Sequence, residues 1–534
     1  MNDYSTEEEK VIEEKRNFIL SIRKRKINFK LFEGRNITRF NSKNTSIIFD
    51  AENNNIINNI KSKFNEIFLE ENNNEEKFLI ILNDLIENLH CLFKNKKIKY
   101  ISEEIIESSV IEKIYDCLII NKYINNNEIV SLVLIIFSLI IFLYNKFPHL
   151  TIYKNKFLDN EKFIILYSSL LNSNDDEVIY YTYKFIGLLA HDSKDIFTKL
   201  FDNKILEQII NNKNFENNID IITIKLGCIS NFNLSSGYKK DIPLSLKIQN
   251  LYISIFNEYI LKNNYTNELL EHFVKIIKNL SNVTDEVYLK NLLNSKIISF
   301  LIKYDKENNN KLTENILIII GNMNFTSNEE IISELHKEVI QYLINIISNE
   351  KYKYNNYILG LALWNINSFL EIKNLCYETF FKYDLISIYK NYLLENQIIN
   401  DNTFNEICLS FKNLIIYIIE DKNFFYIKEH NIISLIIEGF KKINNNNDLI
   451  KIKENIINVL LLLFTINNKD ISNSFITIFE NLGGIEYIFD KIRELILEKH
   501  KNNLKNEINK EKDKKENEIL KLIDIIHKNV FGNE

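Results

Sequence analysis

Runs of Ile, Leu and Phe that each carry an asparagine recur along this 534-residue chain at nearly constant spacing. The stretch ENILIIIGNMNFT, Glu314 to Thr326, shows the pattern most clearly. Related stretches are IKLGCISNFN (Ile224 to Asn233), HFVKIIKNLS (His272 to Ser281), LGLALWNINS (Leu359 to Ser368), ICLSFKNLII (Ile407 to Ile416) and KENIINVLLL (Lys453 to Leu462). Their asparagines, Asn231, Asn279, Asn322, Asn367, Asn413 and Asn458, are 48, 43, 45, 46 and 45 residues apart. Self-similarity at this period marks a stack of helical repeats, each too small to bury its own faces. Asparagine is roughly one residue in six here, far above ordinary usage. The coincidence of the asparagines with apolar runs therefore carries the reading, not the asparagines alone.

A chain of 534 residues is too long for one core of ordinary size, whereas a stack extends its core along one axis. Only 10 Gly and 2 Pro occur, too few for the turns of a sheet-rich fold. The expectation is an all-α, right-handed helical solenoid of the armadillo or HEAT type, with about eight to ten units. Its long inner helices are predicted near 131–145, 176–190, 219–233, 267–281, 311–325, 355–369, 402–418 and 449–464. The Asn runs 72–74, 308–310 and 444–447 are read as loop filler. The uncharged run Ile129 to Tyr144 falls short of the ~18–20 residues a membrane span needs and is read as a buried repeat helix. No membrane partner is expected. Five scattered cysteines form no Cys-x-x-Cys pair, which argues against a disulfide framework or zinc site and for a reducing compartment. The adjacent His90 and Cys91 are read as core, and no metal or cofactor is expected. The N-terminus lacks the apolar segment of a secretory signal. None of the common catalytic motifs is present, so no enzyme is expected.

The two ends differ from the middle. Residues 1–45 hold 11 basic and 7 acidic residues, a net of +4, which leaves −10 on the rest of the chain. Between Lys15 and Lys30 there are seven cations and no acid, with Phe18, Ile22 and Phe29 at helical spacing among them. Such an arm suits an acidic partner or its own acidic body. The acidic body makes nucleic acid an unexpected partner. The stretch IRKRKINFKLFEGRNI, Ile22 to Ile37, resembles the importin-beta-binding segment of the importin alpha family. It supplies Arg23, Lys24, Arg25 and Lys26, then Lys30, Leu31 and Phe32, then Arg35 and Asn36. Glu33 and Gly34 stand where the family pattern has other residues. At the other end FENLGGIEYIFDKI, Phe479 to Ile492, is similar to the opening of the family's last armadillo repeat, and EILKLIDIIHKNVF, Glu518 to Phe531, to its closing helix. The resemblance implies a basic arm over 1–45, armadillo repeats over 46–475, and a terminal repeat over 476–534 with a charged insertion, Glu498 to Asn517. It implies a nuclear-import adaptor found in cytoplasm and nucleus, with two kinds of partner: importin beta and proteins bearing basic nuclear-localisation signals.

In that family, inner helices present Trp and Asn four residues apart, one helical turn, on one concave face. The Asn amide bonds an extended peptide main chain, and indole rings hold the stems of Lys or Arg. By this resemblance the cargo-contact candidates are Asn231, Asn322, Asn367, Asn413 and Trp364, with Phe411 as a further aromatic; Trp364 and Phe411 are read equally well as core. The departures are large. The residues four before the ladder asparagines are Gly227, Lys275, Ile318, Leu363, Leu409 and Glu454, none of them Trp, and the sole Trp is one place off. Gly187 occupies the third-repeat Asn position. The alternative reading is an armadillo scaffold with no transport role, in which each Asn bonds neighbouring backbone.

Overall fold

The computed structural model describes residues 75–94, 123–146 and 161–490, apart from short loops between elements, with scattered positions at 58–66, 114–118 and 492–526. The arm residues Arg23, Lys24, Arg25, Lys26, Lys30 and Arg35 lie outside the described residues, as does the insertion 498–517. The chain forms two compact units, Met1–Asn233 and Leu234–Glu534. Among the described residues the structure is helical, with one isolated parallel bridge between Ile399 and Ile443.

In the first unit the helices are α1 (Glu75–Lys94), α2 (Asn127–Lys146), α3 (Glu161–Leu170), α4 (Asp176–Ala190), α5 (Lys194–Asp202), α6 (Ile205–Asn211) and α7 (Ile219–Asn231). The long helices pack in succession, α1 on α2, α2 on α4 and α4 on α7. The apolar run of α2 buries Ile129, Val133, Ile136, Phe137, Ile140 and Ile141. None of the described helices is long and apolar enough to cross a membrane. Phe137, Phe163, Tyr167 and Phe185 meet ring to ring at 5.5 to 6.4 Å, which fastens α3 beneath α2 and α4. Gly187 lets α4 approach α7: a Cβ there would stand 2.9 Å from the Cα of Cys228.

The second unit continues with α8 (Ile242–Ile255), α9 (Asn267–Leu280), α10 (Glu286–Asn294), α11 (Ile297–Tyr304), α12 (Asn310–Met323), α13 (Glu329–Ser348), α14 (Asn356–Phe369), α15 (Lys373–Tyr377), α16 (Leu385–Glu395), α17 (Asp401–Glu420), α18 (Phe425–Glu429), α19 (Ile432–Lys441), α20 (Leu449–Phe464) and α21 (Lys469–Asn481). Two shorter helices and a long third one make a repeat, as in α10–α11–α12 and α18–α19–α20. This is the three-helix armadillo pattern. The third helices α9, α12, α14, α17 and α20 each pack on the next. All eight predicted inner helices are present, within a few residues of their expected bounds.

Local chemistry explains the boundaries. Asn218, Thr266, Asp285, Asn328, Asn355 and Asn400 each accept a hydrogen bond from a first-turn backbone N–H and so cap α7, α9, α10, α13, α14 and α17. Four of these six caps are asparagines. The turn from first to second helix passes through a left-handed residue: Lys204 (φ 58°), Lys296 (φ 60°), Asp384 (φ 50°) and Asn431 (φ 50°). In each case an apolar pair follows, Ile205-Leu206, Ile297-Ile298, Leu385-Ile386 and Ile432-Ile433. Gly483 (φ 72°) fills the same place in the last described repeat, with Gly484 tight against the Phe479 ring, so the Gly-Gly pair does turn the backbone between helices. In α13 the turn is missing and one unbroken helix spans both elements. Near the end, Arg493 Nη2 bonds Asp524 Oδ1 at 2.8 Å, which ties the closing segment to this repeat.

Candidate functional site

The ladder asparagines do not share one environment. Asn322, near the end of α12, is 4% exposed. Its Nδ2 donates to Ser281 Oγ at 2.8 Å and, at the limit of a hydrogen bond, to the Lys278 carbonyl at 3.5 Å. Asn367 on α14 is 1% exposed. Its Nδ2 donates to the Glu406 carbonyl at 2.9 Å and to Glu406 Oε2 at 3.0 Å, and its Oδ1 accepts from Ser410 Oγ at 2.6 Å. Both residues therefore rivet one repeat to an adjacent one. Asn231 is half-buried at the last position of α7, in the other unit. Asn413 is half-buried on α17, and its amide nitrogen has no hydrogen-bond partner in the protein.

Trp364 is half-buried on α14. Its ring lies over Gly321 of α12, where an added Cβ would stand 2.1 Å from Cζ3 and 2.8 Å from Cη2. Phe325 flanks the indole at 5.8 Å between ring centroids. Close approach of the two helices thus depends on the glycine, and the glycine is covered by the tryptophan. Phe411 is wholly buried among Phe380 and Tyr389. It is a core residue, so of the two readings of Phe411, aromatic slot or core, the slot is ruled out. The structure brings Asn322, Trp364, Asn367 and Asn413 onto successive packed helices of the second unit.

Several polar residues that sequence reasoning passed over do the same riveting. Asn365, fully buried, donates from Nδ2 to the Leu317 carbonyl of α12 at 3.0 Å and to the Leu361 carbonyl at 2.9 Å. Lys278 Nζ donates to Asn315 Oδ1 at 2.8 Å, and Asn455 Nδ2 to Asn405 Oδ1 at 2.9 Å. The partners lie 37 to 50 residues apart, about one period. Polar residues one period apart on otherwise apolar helices were the available signal.

Two buried ionisable groups hold junctions. Asp305 accepts from Thr313 Oγ1 at 2.9 Å and from Tyr342 OH at 2.7 Å; burial raises its pKa, opposed by these two donors. His336 on α13 lies 3.0 Å from Thr379 Oγ1 through Nε2. Burial pushes its pKa down to about 4, so the ring is neutral at ordinary pH. Burial likewise raises the thiols of Cys228, Cys376 and Cys408 far above their usual range, which leaves them unreactive. Among the described residues no three His, Cys, Asp or Glu side chains gather as a metal site.

No family model matches the sequence, and no curated protein does. Solved structures do match in shape. The crystal structure of an engineered protein aligns with a TM-score of 0.58 at 10% identity, over 87% of this chain and 99% of that one. A designed armadillo repeat protein in complex with the peptide (KR)4 aligns with a TM-score of 0.37 at 13% identity, over 47% of this chain and 98% of that one. Computationally designed armadillo repeat proteins for modular peptide recognition align with a TM-score of 0.37 at 13% identity, over 47% and 99%. The likeness to the first is one of fold, and the fold of this chain is an all-α solenoid of armadillo-type repeats.

Proposed function

We propose that the chain is a nuclear-import adaptor. Importin beta binds the basic arm, and cargo proteins present an extended, basic signal peptide to the face formed by α12, α14 and α17. The observation that carries this reading is the pairing of IRKRKINFKLFEGRNI at one end with FENLGGIEYIFDKI at the other, on either side of an armadillo-type stack. Either motif alone is short. Their order around the right fold is what supports the family role. The net charge of −10 outside the arm attracts basic peptides over a distance set by salt. The test is capture of the full chain by immobilised importin beta. Replacing Arg23, Lys24, Arg25 and Lys26 together with Ala should abolish capture. If the unaltered chain is not captured, the adaptor reading fails.

A second reading, an assembly scaffold outside transport, is favoured by one observation: Asn322 and Asn367 spend their amides on neighbouring repeats. Failure of the capture experiment would leave it ahead.

A further inference from the structure

The four corners that pass through a left-handed non-glycine residue share a second feature. The residue two places before each, Asp202, Asn294, Lys382 and Glu429, is polar and exposed. Two other helices run straight through the corner position. Asn250 of α8 lies 46 residues from both Lys204 and Lys296. Glu338 of α13 lies 42 residues from Lys296 and 46 from Asp384. In both, the residue two places earlier is buried: Ile248 is 1% exposed and His336 0%. A straight helix thus carries this residue inward, and a corner carries it out. Isoleucine suits the inward position permanently. Histidine, which can take up a charge, suits it only while neutral.

His336 is incompletely satisfied where it lies. Its Nε2 is 3.0 Å from Thr379 Oγ1, and its Nδ1 has no hydrogen-bond partner. The rings of Phe369 and Tyr383 close on it. Of the charges that act on it, Glu378 favours the imidazolium, while Lys382 and Lys337 oppose it. The remaining neighbours of α13 are α10, α11, α12 and α16, and their charges have other partners. Lys290 of α10 pairs with Glu330, and Asp305 after α11 accepts from Tyr342. Lys311 of α12 pairs with Glu271, Glu314 meets Tyr357, and Glu395 of α16 pairs with Lys353; Lys390 of α16 is exposed. The straight form is held two residues beyond the histidine. Glu338 Oε1 accepts from Ser299 N–H at 3.1 Å and from the Ser299 hydroxyl. It thereby caps α11, whose own start at Lys296 has no side-chain cap.

We propose that α13 is a two-state helix, straight with His336 buried and neutral, or cornered at Glu338 with His336 in water and protonated. Acid thus drives this repeat from the straight form to the cornered form of its neighbours. A proton bound in one state only shifts the balance towards that state. An exposed imidazole holds its proton below about 6.5, and the buried one only below about 4. The cornered form should therefore gain roughly thirtyfold at pH 5 relative to pH 8. A corner also leaves the N–H groups of Val339, Ile340 and Gln341 without helical acceptors. The corner at Lys204 has this form, its first helical bond running from Gln208 N–H to the Lys204 carbonyl.

Hydrogen exchange of the full chain between pH 5 and pH 8, corrected for the intrinsic rate and read by mass spectrometry over 336–342, tests this. Protection of Val339 to Gln341 should fall roughly thirtyfold at pH 5, with α12 and α14 unchanged. His336→Gln, which takes up no proton, should make that protection independent of pH. Glu338→Gly removes the bond to Ser299 and admits a left-handed φ. It should show the low protection already at pH 8, with the remaining helices checked by their own exchange. Ser299→Ala, outside α13, should lower protection at both pH values and keep the slope. Flat protection in the unaltered chain would overturn the switch. An equal slope in His336→Gln would overturn the role of the histidine. Full protection in Glu338→Gly at pH 8 would overturn the place of the corner. Loss of protection in α12 and α14 together with α13 would be global unfolding and would overturn the local change. None of these outcomes bears on capture by importin beta, so this inference and the adaptor reading fail separately.

Discussion

Gly321 and Gly360 lie within adjacent third helices, yet a methyl group added to each should have opposite effects. At Gly321 it would collide with the Trp364 ring, whereas at Gly360 nothing lies within 4 Å. Gly321→Ala should therefore destabilise by about 1–3 kcal/mol through overpacking. Gly360→Ala should stabilise by about 0.5–1 kcal/mol, because it restores helix propensity in open space. Urea unfolding of the two variants beside the parent checks both signs. His336 sets a pH dependence. Its pKa falls from 6.5 to about 4 in the fold, first through burial, with Lys382 and Lys337 adding and Glu378 opposing. The unfolded chain takes up this proton near 6.5, and the folded chain only near 4. The stability linked to His336 is thus complete above pH 6.5 and is lost as pH falls from there through about 4, a total on the order of 3 kcal/mol. His336→Gln, which cannot take up a proton, should flatten that limb of the urea midpoint plotted against pH.

The left-handed turns are a matter for the element. A non-glycine residue held there costs about 1–2 kcal/mol, and Lys296 (φ 60°) leads into α11 in that conformation. Lys296→Gly should raise the urea midpoint by the equivalent of about 1 kcal/mol. Asn328→Ala, which removes the cap of α13, should lower it by the equivalent of about 0.5–2 kcal/mol. The same elements mark what could be read in the sequence. The third helices were legible because each is a long apolar run and the runs recur with a fixed period. The shorter helices were less so, since their signal is a left-handed residue before an apolar pair, and Lys204 and Lys296 are not residues expected in that conformation. In α13 Glu338 lies just before Val339 and Ile340, yet remains helical, so the pattern alone does not impose the turn. The candidate site was legible to the level of the helix and no further. One residue turns a helix by about 100°, enough to move a side chain from open face to packed junction. That is the difference between Trp364, half-buried, and Asn365, fully buried. Nothing in a single run says which asparagine is capped, riveted or open.

At the scale of the whole molecule the chain is two compact units, each with its own close helix contact at a glycine. Calorimetry should resolve two thermal transitions. Gly187→Ala, which presses on Cys228 in the first unit, should lower one of them, and Gly321→Ala the other. A single transition moved equally by both variants would show that the units melt as one. The amide rivets between repeats bear on how the second unit yields to load. Tension applied along a stack of nearest-neighbour contacts is carried by one junction after another, and the weakest parts first. Each freed repeat of about 45 residues lengthens the tether by ~150 Å, so a single-molecule pulling trace should be a sawtooth with that step. Asn367→Ala, which removes the bonds to Glu406 and Ser410, should lower one tooth and leave the spacing of the others unchanged.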